Sequence, residues 1–298
     1  MTHFQDFRQT KILVKQYYKT LVISDVHLGT KGSKAKELVR FLKQVRCENL
    51  ILNGDIIDGW QLRKYGKWKK HHTRFFRRVL KMVEEDNTQV TYLRGNHDDF
   101  LDQVLPMDIG HFSIKQDMVY ESHGKRYFIT HGDIFDSITS NWSWLAKLGD
   151  LGYTLLLYIN RKYNQYRRKK GLPYFSLSQQ IKAQVKSAVA YIDSFESELV
   201  KVARKKQCDG IICGHIHQPD IKTIEGVEYM NSGDWVESLS ALAEDENGSW
   251  SLVYYAESQK YQPTLAQEEE EEEMMSVPTL LAAMRSVPHA PRPHSQVG

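Results

Sequence analysis

Five short segments of this chain combine carboxylate, imidazole and amide side chains, and each follows an apolar run. In chain order they are Asp25-Val26-His27, Gly54-Asp55-Ile56-Ile57-Asp58, Gly95-Asn96-His97-Asp98, His131-Gly132-Asp133 and Gly214-His215-Ile216-His217. Oxygen and imidazole donors collected at strand ends are what a hydrolytic site with two metal ions needs. Any one segment alone is weak evidence, whereas all five in this order predict such a site.

The spacing within the segments suits metal binding. In an extended chain, residues i and i+2 lie on the same side, so Asp25 and His27 can face one ion together, and the pair at 215 and 217 repeats that spacing. Asp55 ends a strand-like run whose glycine permits a sharp exit, and its two carboxylate oxygens can bridge two cations. The seven predicted ligands, around two ions roughly 3.5–4 Å apart, are Asp25, His27, Asp55, Asn96, His131, His215 and His217.

An ordinary structural role is the alternative for each of these side chains. Asp and Asn at strand ends commonly form turns, and a single His is more often a surface or core residue than a ligand. For Asp98, Asp133 and Asp136, the structural role and a supporting role at the site stay nearly equally open. For the seven ligands together, chance would have to place every one of them, so the metal site is the stronger hypothesis.

The segments resemble those of the calcineurin-like metallophosphoesterase family, written D-x-H, G-D-x-x-D, G-N-H-[DE], H and G-H-x-H. The match spans about residues 20 to 257, with every motif intact. The resemblance implies that one metal is bound by Asp25, His27, Asp55 and His217, and the other by Asp55, Asn96, His131 and His215.

His97 matches the histidine of this family that does not bind metal. The resemblance implies that it is catalytic, as a general acid or by stabilising charge on the phosphoryl oxygen or the leaving group. Asp58 would orient and polarise it, as a carboxylate does for a catalytic imidazole. The implied cofactors are two divalent cations, and the mixture of oxygen and imidazole donors favours Mn²⁺, with Fe and Zn²⁺ as alternatives.

Strand-like and helix-like segments alternate and predict an α/β fold, a calcineurin-like metallophosphoesterase β-sandwich flanked by helices with a helical cap insertion. Strands are predicted at residues 20–24, 49–52, 89–93, 118–122, 126–130, 210–213, 220–224, 227–230 and 249–255. Helices are predicted at 34–45, 73–85 and 191–206, with hairpin turns at His123-Gly124 and Glu225-Gly226. The predicted layout is an N-terminal extension (1–19), a core (20–140 and 193–257), the cap (141–192) and a disordered acidic tail containing prolines (262–298).

The composition is that of an ordinary intracellular protein. Hydrophobic residues make up 41% of the 298 residues, which suffices for a sizeable core. Cys47, Cys208 and Cys213 lack C-x-x-C spacing and are expected to be reduced. Residues 1–18 lack the apolar stretch of a signal peptide, and no apolar run reaches the roughly 20 residues of a spanning helix. We therefore expect a cytoplasmic protein, with peripheral contact to the inner face of the membrane as an option, and predict no oligomeric state.

The predicted cap has an apolar part followed by a basic part, with no acid between Asp150 and Asp193. One interpretation is a helical pair with a solvated basic face. The other is a cover over the metals that contacts anionic lipid headgroups. In that case the side chains that shelter an acyl chain, or meet phosphate or the membrane surface, would be Leu155, Leu156, Arg161, Arg167 and Arg168.

A second basic segment, Arg63–Lys81, contains nine Lys or Arg residues and no acid. Because it follows Asp58 closely, it is predicted to lie near the metal site. The net charge of the whole chain is only +3, so the basic character is local.

A helical insertion before the last motif resembles the UDP-2,3-diacylglucosamine hydrolases of lipid A synthesis. Those are peripheral membrane enzymes that cleave a pyrophosphate and release a lipid phosphate and UMP, so the resemblance implies a lipid-linked nucleotide as substrate. The chain departs from their well-known members at His97, where they have an Arg. The Ser/Thr phosphoprotein phosphatases are less similar, because Gly59 stands where their phosphate-binding Arg would be.

Two alternatives stay open. One is a phosphodiesterase or phosphatase acting on nucleotides or nucleic acid. The basic segments permit nucleic acid, but no binding motif with interleaved aromatic residues supports it. The other is a non-catalytic scaffold on the same fold, like the retromer subunit that lost key site residues. All seven ligands and His97 are present here, which argues for catalysis.

Overall fold

A computed structural model describes residues 15–133, 167, 170 and 177–255 of the chain. Two β-sheets pack against each other, and helices cover their outer faces. The strands are β1 (Gln16–Ile23), β2 (Val45–Asn53), β3 (Gln89–Leu93), β4 (Met107–Ile109), β5 (Phe112–Lys115), β6 (Met118–Ser122), β7 (Lys125–Ile129), β8 (Gly210–Cys213), β9 (Asp220–Ile224), β10 (Val227–Asn231), β11 (Ser240–Glu244) and β12 (Trp250–Tyr254). The helices are α1 (Ala35–Gln44), α2 (Gly59–Tyr65), α3 (Lys70–Asp86) and α4 (Leu177–Lys205), with a 3₁₀ helix at Asn96–Gln103.

The larger sheet has seven strands in the order β12-β11-β1-β2-β3-β5-β4. Strands β1, β2 and β3 are parallel, with Leu21 beside Leu50 and Leu50 beside Val90. Parallel neighbours need a crossover connection, which α1 supplies between β1 and β2, and α3 between β2 and β3. The carboxyl ends of these three strands therefore meet at one edge of the sheet.

Helices α1 and α3 pack on the outer face of this sheet. Leu38, Phe41 and Leu42 of α1 are buried there, as are Phe75 and Val79 of α3. Apolar residues three and four positions apart lie on one helix face, which explains why both segments form helices against the sheet. Full burial of such a side chain contributes roughly 1.5–3 kcal/mol of transfer free energy.

A second core fills the space between the two sheets. Side chains alternate along a strand, so Leu21 and Ile23 of β1 face the helices while Val22 faces the smaller sheet. Val22 shares this core with Ile129 and Ile212, which belong to β7 and β8. This core therefore fixes the edge of one sheet against the edge of the other.

The smaller sheet has five strands in the order β6-β7-β8-β10-β9, and β7, β8 and β10 are parallel. Phe195, Leu199 and Ala203 of α4 cover it. The turns His123-Gly124 and Glu225-Gly226 join β6 to β7 and β9 to β10, and all their residues have positive φ, between 49° and 85°. Two such residues in succession form the hairpin turn that was predicted at each position.

The predicted α/β sandwich is confirmed, and β3, β6, β8 and β9 have the predicted bounds. Strand β1 begins at Gln16 instead of Thr20, so residues 16–19, predicted to be part of an N-terminal extension, lie in the sheet. The helix predicted to begin at Tyr191 begins at Leu177 and reaches into the segment predicted as a cap. The sequence does not predict β4, β5 or β11.

Most of the predicted cap and the whole predicted tail (262–298) lie outside the described residues. Four of the predicted substrate contacts lie there, namely Leu155, Leu156, Arg161 and Arg168. Arg167 is described and is half-buried, and its carbonyl oxygen accepts a hydrogen bond of 3.0 Å from the N–H of Lys170. By its contacts the chain divides into two units, Met1–Ala256 and Glu257–Gly298.

The three cysteines are buried and form no disulfide, in keeping with the expected reduced thiols. Burial raises the pKa of the Cys47 and Cys213 thiols to about 12, which keeps both protonated and unreactive. Among the described residues, no helix combines the length and the apolar character that crossing a membrane requires.

Candidate metal centre

The seven predicted ligands all stand two to four residues after a strand, at the carboxyl ends of parallel strands in both sheets. In the larger sheet, Asp25 and His27 follow β1, Asp55 follows β2 and Asn96 follows β3; in the smaller sheet, His131 follows β7, and His215 and His217 follow β8. Because the core between the sheets holds these edges together, side chains nearly two hundred residues apart in sequence meet.

Hydrogen bonds connect the loops that carry these residues. The N–H of Asp25 donates to the carbonyl of Gly54 (3.1 Å), and the N–H of His27 donates to the carbonyl of Asp55 (2.9 Å). The N–H of His215 donates to Asp25 Oδ2 (3.0 Å), which joins the two sheets directly at the site. The positions of the loops are therefore set by the backbone as well as by packing.

A first group of donors consists of Asp25, His27 and His217, whose nearest donor atoms all lie within 4.8 Å of one another. Asp25 Oδ1 is 3.2 Å from His217 Nε2 and 3.9 Å from His27 Nε2. Asp25 is completely buried. A carboxylate and two imidazoles at these distances can hold one divalent cation.

A second group consists of Asp55, His131 and His215, again within 4.8 Å of one another. His131 Nε2 is 3.3 Å from Asp55 Oδ2. The other ring nitrogen, Nδ1, lies 2.9 Å from the carbonyl oxygen of Asn53 and donates to it. That hydrogen bond fixes the tautomer and leaves the lone pair of Nε2 facing Asp55, as is usual for a metal-binding imidazole.

Asp55 lies in contact with both groups. Its Oδ2 atom is 3.3 Å from His131 Nε2 and 3.8 Å from His27 Nε2. Its Oδ1 atom accepts a hydrogen bond of 2.9 Å from the backbone N–H of His97. The carboxylate is therefore oriented by the backbone and has the position required of a bridge between two cations.

Buried donor atoms at the site make no hydrogen bond within the described part of the chain. They include Asp25 Oδ1, Asn96 Oδ1 and His131 Nε2. A buried polar atom without a partner costs about 1–3 kcal/mol, and these three atoms belong to both sets of predicted ligands. Two divalent cations would satisfy them, so the residues fit the cofactors that the sequence implies.

The glycines of three motifs permit close packing around the ligands. A Cβ atom on Gly214 would lie 2.5 Å from Asp25 Oδ2, and one on Gly95 would lie 3.0 Å from Asp55 Cγ. A Cβ atom on Gly54 would lie 2.7 Å from His131 Cβ. These glycines are therefore required because each lies against a predicted ligand.

His97 and Asp58 lie together beside the donor groups. His97 Nδ1 is 3.2 Å from Asp58 Oδ1, and its Nε2 is 3.9 Å from Asp55 Oδ2. Asp58 also begins α2 by accepting the N–H of Gln61 (2.8 Å). Burial would lower the pKa of His97, but the charges and the contact of Asp58 and Asp55 outweigh it and raise that pKa. Burial would likewise raise the pKa of Asp58, but its contacts with His27 and His97 hold it low.

The buried carboxylates and imidazoles shift one another's pKa. Burial would raise the pKa of Asp25 and of Asp55, but nearby imidazoles, chiefly His217 and His131, lower both, that of Asp55 to about 2. Burial would lower the pKa of the imidazoles, but Asp55 and Asp25 raise that of His131, and Asp25 raises that of His217 to about 9. The carboxylates are therefore ionised, and a cation that binds here must displace protons from the imidazoles.

Asp98 and Asp133, two of the three aspartates whose roles stay open in the sequence, make hydrogen bonds close to predicted ligands. Asp98 accepts the backbone N–H groups of Ile56 (3.2 Å) and Ile57 (2.9 Å), and so holds the loop after Asp55. Burial and the neighbouring Asp55 charge raise the pKa of Asp98 to about 7. Asp133 accepts a hydrogen bond from the Arg94 guanidinium, which also pairs with Asp102 of the 3₁₀ helix. Asp136 lies outside the described residues.

Two further residues at the site are not identified from the sequence. Asp234 is completely buried, lies 3.9 Å from His217 Nδ1, and accepts backbone N–H groups from the turn that follows it. The ring of Trp60 lies 4.2 Å from that of His97, centroid to centroid. The signals were their positions, since Asp234 follows β10, a parallel neighbour of β8, and Trp60 closely follows Asp58.

Comparison with known proteins places this arrangement in a familiar context. The model of the family described as calcineurin-like phosphoesterase matches residues 18–219, about two thirds of the 298-residue chain. The matched region contains every predicted metal ligand as well as His97 and Asp58.

Individual relatives are more distant. The UDP-2,3-diacylglucosamine hydrolase of Photorhabdus laumondii is 24% identical over 208 residues, which cover 69% of this chain and 84% of that protein. The enzyme of the same description from Aeromonas salmonicida is 23% identical over 230 residues, covering 75% and 88%. Among solved structures, a novel archaeal phosphodiesterase is 13% identical with a TM-score of 0.39, covering 78% of this chain and 98% of that one.

Proposed function

The chain belongs to the calcineurin-like phosphoesterase family and is a metal-dependent phosphoesterase, and we propose that it hydrolyses a lipid-linked nucleotide at its pyrophosphate. The curated relatives support this substrate, because those from Photorhabdus laumondii and Aeromonas salmonicida are UDP-2,3-diacylglucosamine hydrolases and align over most of their own length. At 23–24% identity, these relatives support phosphoester hydrolysis, and the lipid-linked nucleotide is the proposal.

We propose that the two donor groups are two metal sites that share Asp55. The observation that carries this assignment is that both groups contain buried donor atoms with no hydrogen-bond partner among the described residues, on either side of one carboxylate. The first metal would be held by Asp25, His27, Asp55 and His217, and the second by Asp55, Asn96, His131 and His215. The donor types favour Mn²⁺, with Fe and Zn²⁺ as alternatives.

Two divalent cations bound here would supply neutralisation of the phosphoryl oxygens and a water molecule of lowered pKa. The chain's own residues supply orientation and proton transfer. Asp58 Oδ1 lies 3.2 Å from Nδ1 of His97 and would orient the ring, whose Nε2 lies 3.9 Å from Asp55 Oδ2. From there His97 donates a proton to the leaving oxygen, or stabilises the charge that develops on it.

The proposed lipid contact involves the predicted cap. Leu155 and Leu156 would shelter an acyl chain, and the three arginines at 161, 167 and 168 would meet phosphate or the membrane surface. A cytoplasmic location with peripheral contact to the inner face of the membrane follows from this proposal and stays a prediction. Polar replacement of Leu155 should weaken a diacyl substrate more than a water-soluble one, which kcat/KM on both substrates would test.

A phosphodiesterase acting on nucleotides is the second candidate. It is favoured by the exposed ring of Trp60, which lies against His97 and could stack on a base. It is also favoured by His97 itself, which replaces the Arg of the well-known lipid A enzymes.

An activity screen after reconstitution with Mn²⁺ separates these candidates. The substrates are UDP-2,3-diacylglucosamine, a simple phosphodiester, free nucleotides and a phosphomonoester, with the metal-free protein as the control. We expect the highest kcat/KM for the UDP-diacylglucosamine. A higher value for nucleotides or for the simple phosphodiester would overturn the lipid substrate and leave the phosphoesterase in place.

A further inference from the structure

The basic segment after Asp58 forms an exposed surface that the proposed chemistry does not use. We call residues 60–70 the basic elbow; they comprise α2 after Gly59, the turn that follows it and the first residue of α3. Every residue from 63 to 70 is exposed, and so is Trp60. Three large aromatic side chains in it are about half exposed, Trp60 (47%), Tyr65 (57%) and Trp68 (44%). Aromatic residues clustered at a surface commonly mark a contact site.

The elbow is held in a defined conformation. Gly66, with φ of 59°, ends α2, and its N–H donates to the carbonyl of Leu62. The indole N–H of Trp60 donates to Asp99 (3.3 Å), and that of Trp68 donates to Thr73 (2.9 Å). Because the polar atoms of both indoles are satisfied within the protein, what they present to the surroundings is mainly apolar ring.

The charge of the elbow has one sign. No acidic residue occurs between Asp58 and Glu84, while lysines alternate with the aromatic residues at positions 64, 67, 69 and 70. This interleaving differs from the expectation that the basic segments lack interleaved aromatic residues. Arg63 is paired with Asp99, but Lys64 lies over the ring of Tyr65, 5.2 Å from its centre. Lysines beside Trp and Tyr are the composition that binds at the interface of an anionic bilayer.

The elbow begins at the metal centre. The ring centroid of Trp60 lies 4.2 Å from that of His97. Lys69 Nζ lies 3.5 Å from the carbonyl oxygen of Thr30, a residue close to His27 in the chain. A surface bound through the elbow would therefore lie beside the place where phosphate chemistry occurs. For a substrate whose headgroup sits at a bilayer, that arrangement shortens the path from membrane to site.

We propose that the basic elbow is a docking surface for an anionic phospholipid bilayer, with Tyr65 and Trp68 at the interface and the lysines over the headgroups. The proposal rests on the proposed lipid-linked substrate. It places membrane contact on the core of the protein, separately from the predicted cap. Nucleic acid fits less well, because Lys64 lies over the Tyr65 ring and Trp68 stacks on Phe76, so the two rings do not form a free row of stacking platforms.

The test is flotation of the full chain with vesicles of phosphatidylcholine, with and without phosphatidylglycerol. The elbow variant is Lys64→Glu/Lys67→Glu, and the matched control is Lys201→Glu/Lys205→Glu on exposed positions of α4. Each lysine near an anionic surface strengthens binding about fivefold, so the elbow variant should bind phosphatidylglycerol vesicles at least about 25-fold more weakly than the parent. The control should bind like the parent, and Tyr65→Ser should weaken binding without changing its dependence on salt.

Hydrolysis of a water-soluble phosphodiester, measured alongside, should be equal in all these proteins. Failure of the parent to bind phosphatidylglycerol vesicles, or an equal loss in the α4 control, would overturn the docking surface. Tight binding of a single-stranded oligonucleotide that only the elbow variant loses, without vesicle binding, would make nucleic acid the partner. If vesicles bind as expected but UDP-2,3-diacylglucosamine in detergent is not hydrolysed, the docking surface stands and the proposed substrate fails.

Discussion

Replacing Gly214 with alanine should remove metal from the proposed site, although every predicted ligand residue is retained. Gly214 is the glycine directly before His215, and its N–H donates to the carbonyl of His131 (3.1 Å). An added Cβ atom would lie 2.5 Å from Asp25 Oδ2 and 2.7 Å from Ser24 Cβ. The substitution therefore forces a methyl group against a predicted ligand of the first metal.

The size of the effect follows from the required movement. Ordinary contact distances to a Cβ atom are 3.4–4 Å, so the Asp25 oxygen or the Gly214 backbone must move by roughly 1 Å. Distances between metals and their donors tolerate only about 0.2 Å. Either movement breaks the site, because the Gly214 backbone leads directly into His215. We expect metal affinity to fall at least about 100-fold, or about 2.8 kcal/mol.

The assay is metal content by elemental analysis after dialysis against a defined Mn²⁺ concentration, with isothermal titration for affinity. Gly110→Ala is the matched control. It introduces the same methyl group at a glycine with φ of 57°, where no atom of the described residues lies within 4 Å of the added Cβ, so it adds backbone strain away from the site. The control should bind metal like the parent, although the positive φ costs it about 1 kcal/mol of stability.

One result would refute the reasoning. If Gly214→Ala, with a native far-UV circular dichroism spectrum, bound two metals per chain with the affinity of the parent, then the contact with Asp25 would not control the site. If Gly214→Ala lost both metal and the folded circular dichroism spectrum, the loss of metal would reflect unfolding. Urea unfolding of the variant, compared with the Gly110→Ala control, identifies that case.

Three further predictions follow from the same site and its surroundings. Asp55→Ala should lose activity and most bound metal together, because its carboxylate contacts both donor groups; two metals per chain by elemental analysis would contradict the bridge. His97→Ala should keep both metals but lower kcat by about 10²–10⁴-fold, while loss of metal would make His97 a ligand instead. Burial, with the charges of Lys69 and His71, lowers the pKa of His72 from 6.5 to about 4, so the unfolded chain binds a proton more readily and stability falls as the pH drops from about 6.5 towards 4. His72→Gln keeps an acceptor for the Lys69 N–H, so its free energy of unfolding in urea should not show this acid-dependent loss of up to about 3 kcal/mol. Parallel profiles of unfolding free energy against pH for variant and parent would contradict the assignment to His72.

The site could be predicted from sequence because strand ends leave a local signal. Asp25 and Asp55 each follow a run of buried apolar residues, and that pattern is visible without knowledge of the neighbours. Asp234 also follows a strand, but that local signal does not show which strand lies beside it. Its backbone partners are local, but its closeness to His217 arises from the pairing of β10 with β8, which is a tertiary fact.

The missed strands have the same cause. The sequence Ser-Ala-Leu-Ala-Glu of β11 contains no β-branched or aromatic residue and has the composition of a helix. It is a strand because it pairs with β1 on one side and β12 on the other, and all five residues are buried. Pairing with a strand on each side outweighs the intrinsic helix preference of this segment. The five residues alone do not show which strands will lie beside them.

The conformation of the ligands is a further feature that the sequence does not reveal. Five predicted ligands have positive φ: Asp25 (52°), His27 (48°), Asp55 (53°), His215 (69°) and His217 (56°). Residues other than glycine seldom adopt this conformation, and strained backbone costs of the order of 1–3 kcal/mol for each residue. The backbone strain is concentrated at this site because several such residues lie close together in the same loops. The motif glycines pack tightly against them.

Strain and unsatisfied donors at one place have a common explanation. Both make the protein without metal less stable. Positive φ alone also occurs at ordinary turns, such as those at His123 and Glu225, but at Asp25 it coincides with a buried oxygen that makes no hydrogen bond within the described residues. Cations that bind only the folded chain recover this free energy, because they complete the donors that the backbone has already oriented. The positive φ values of Asp25 and His27 are therefore consistent with the proposed metal site. Both side chains belong to the donor groups that the distances identify.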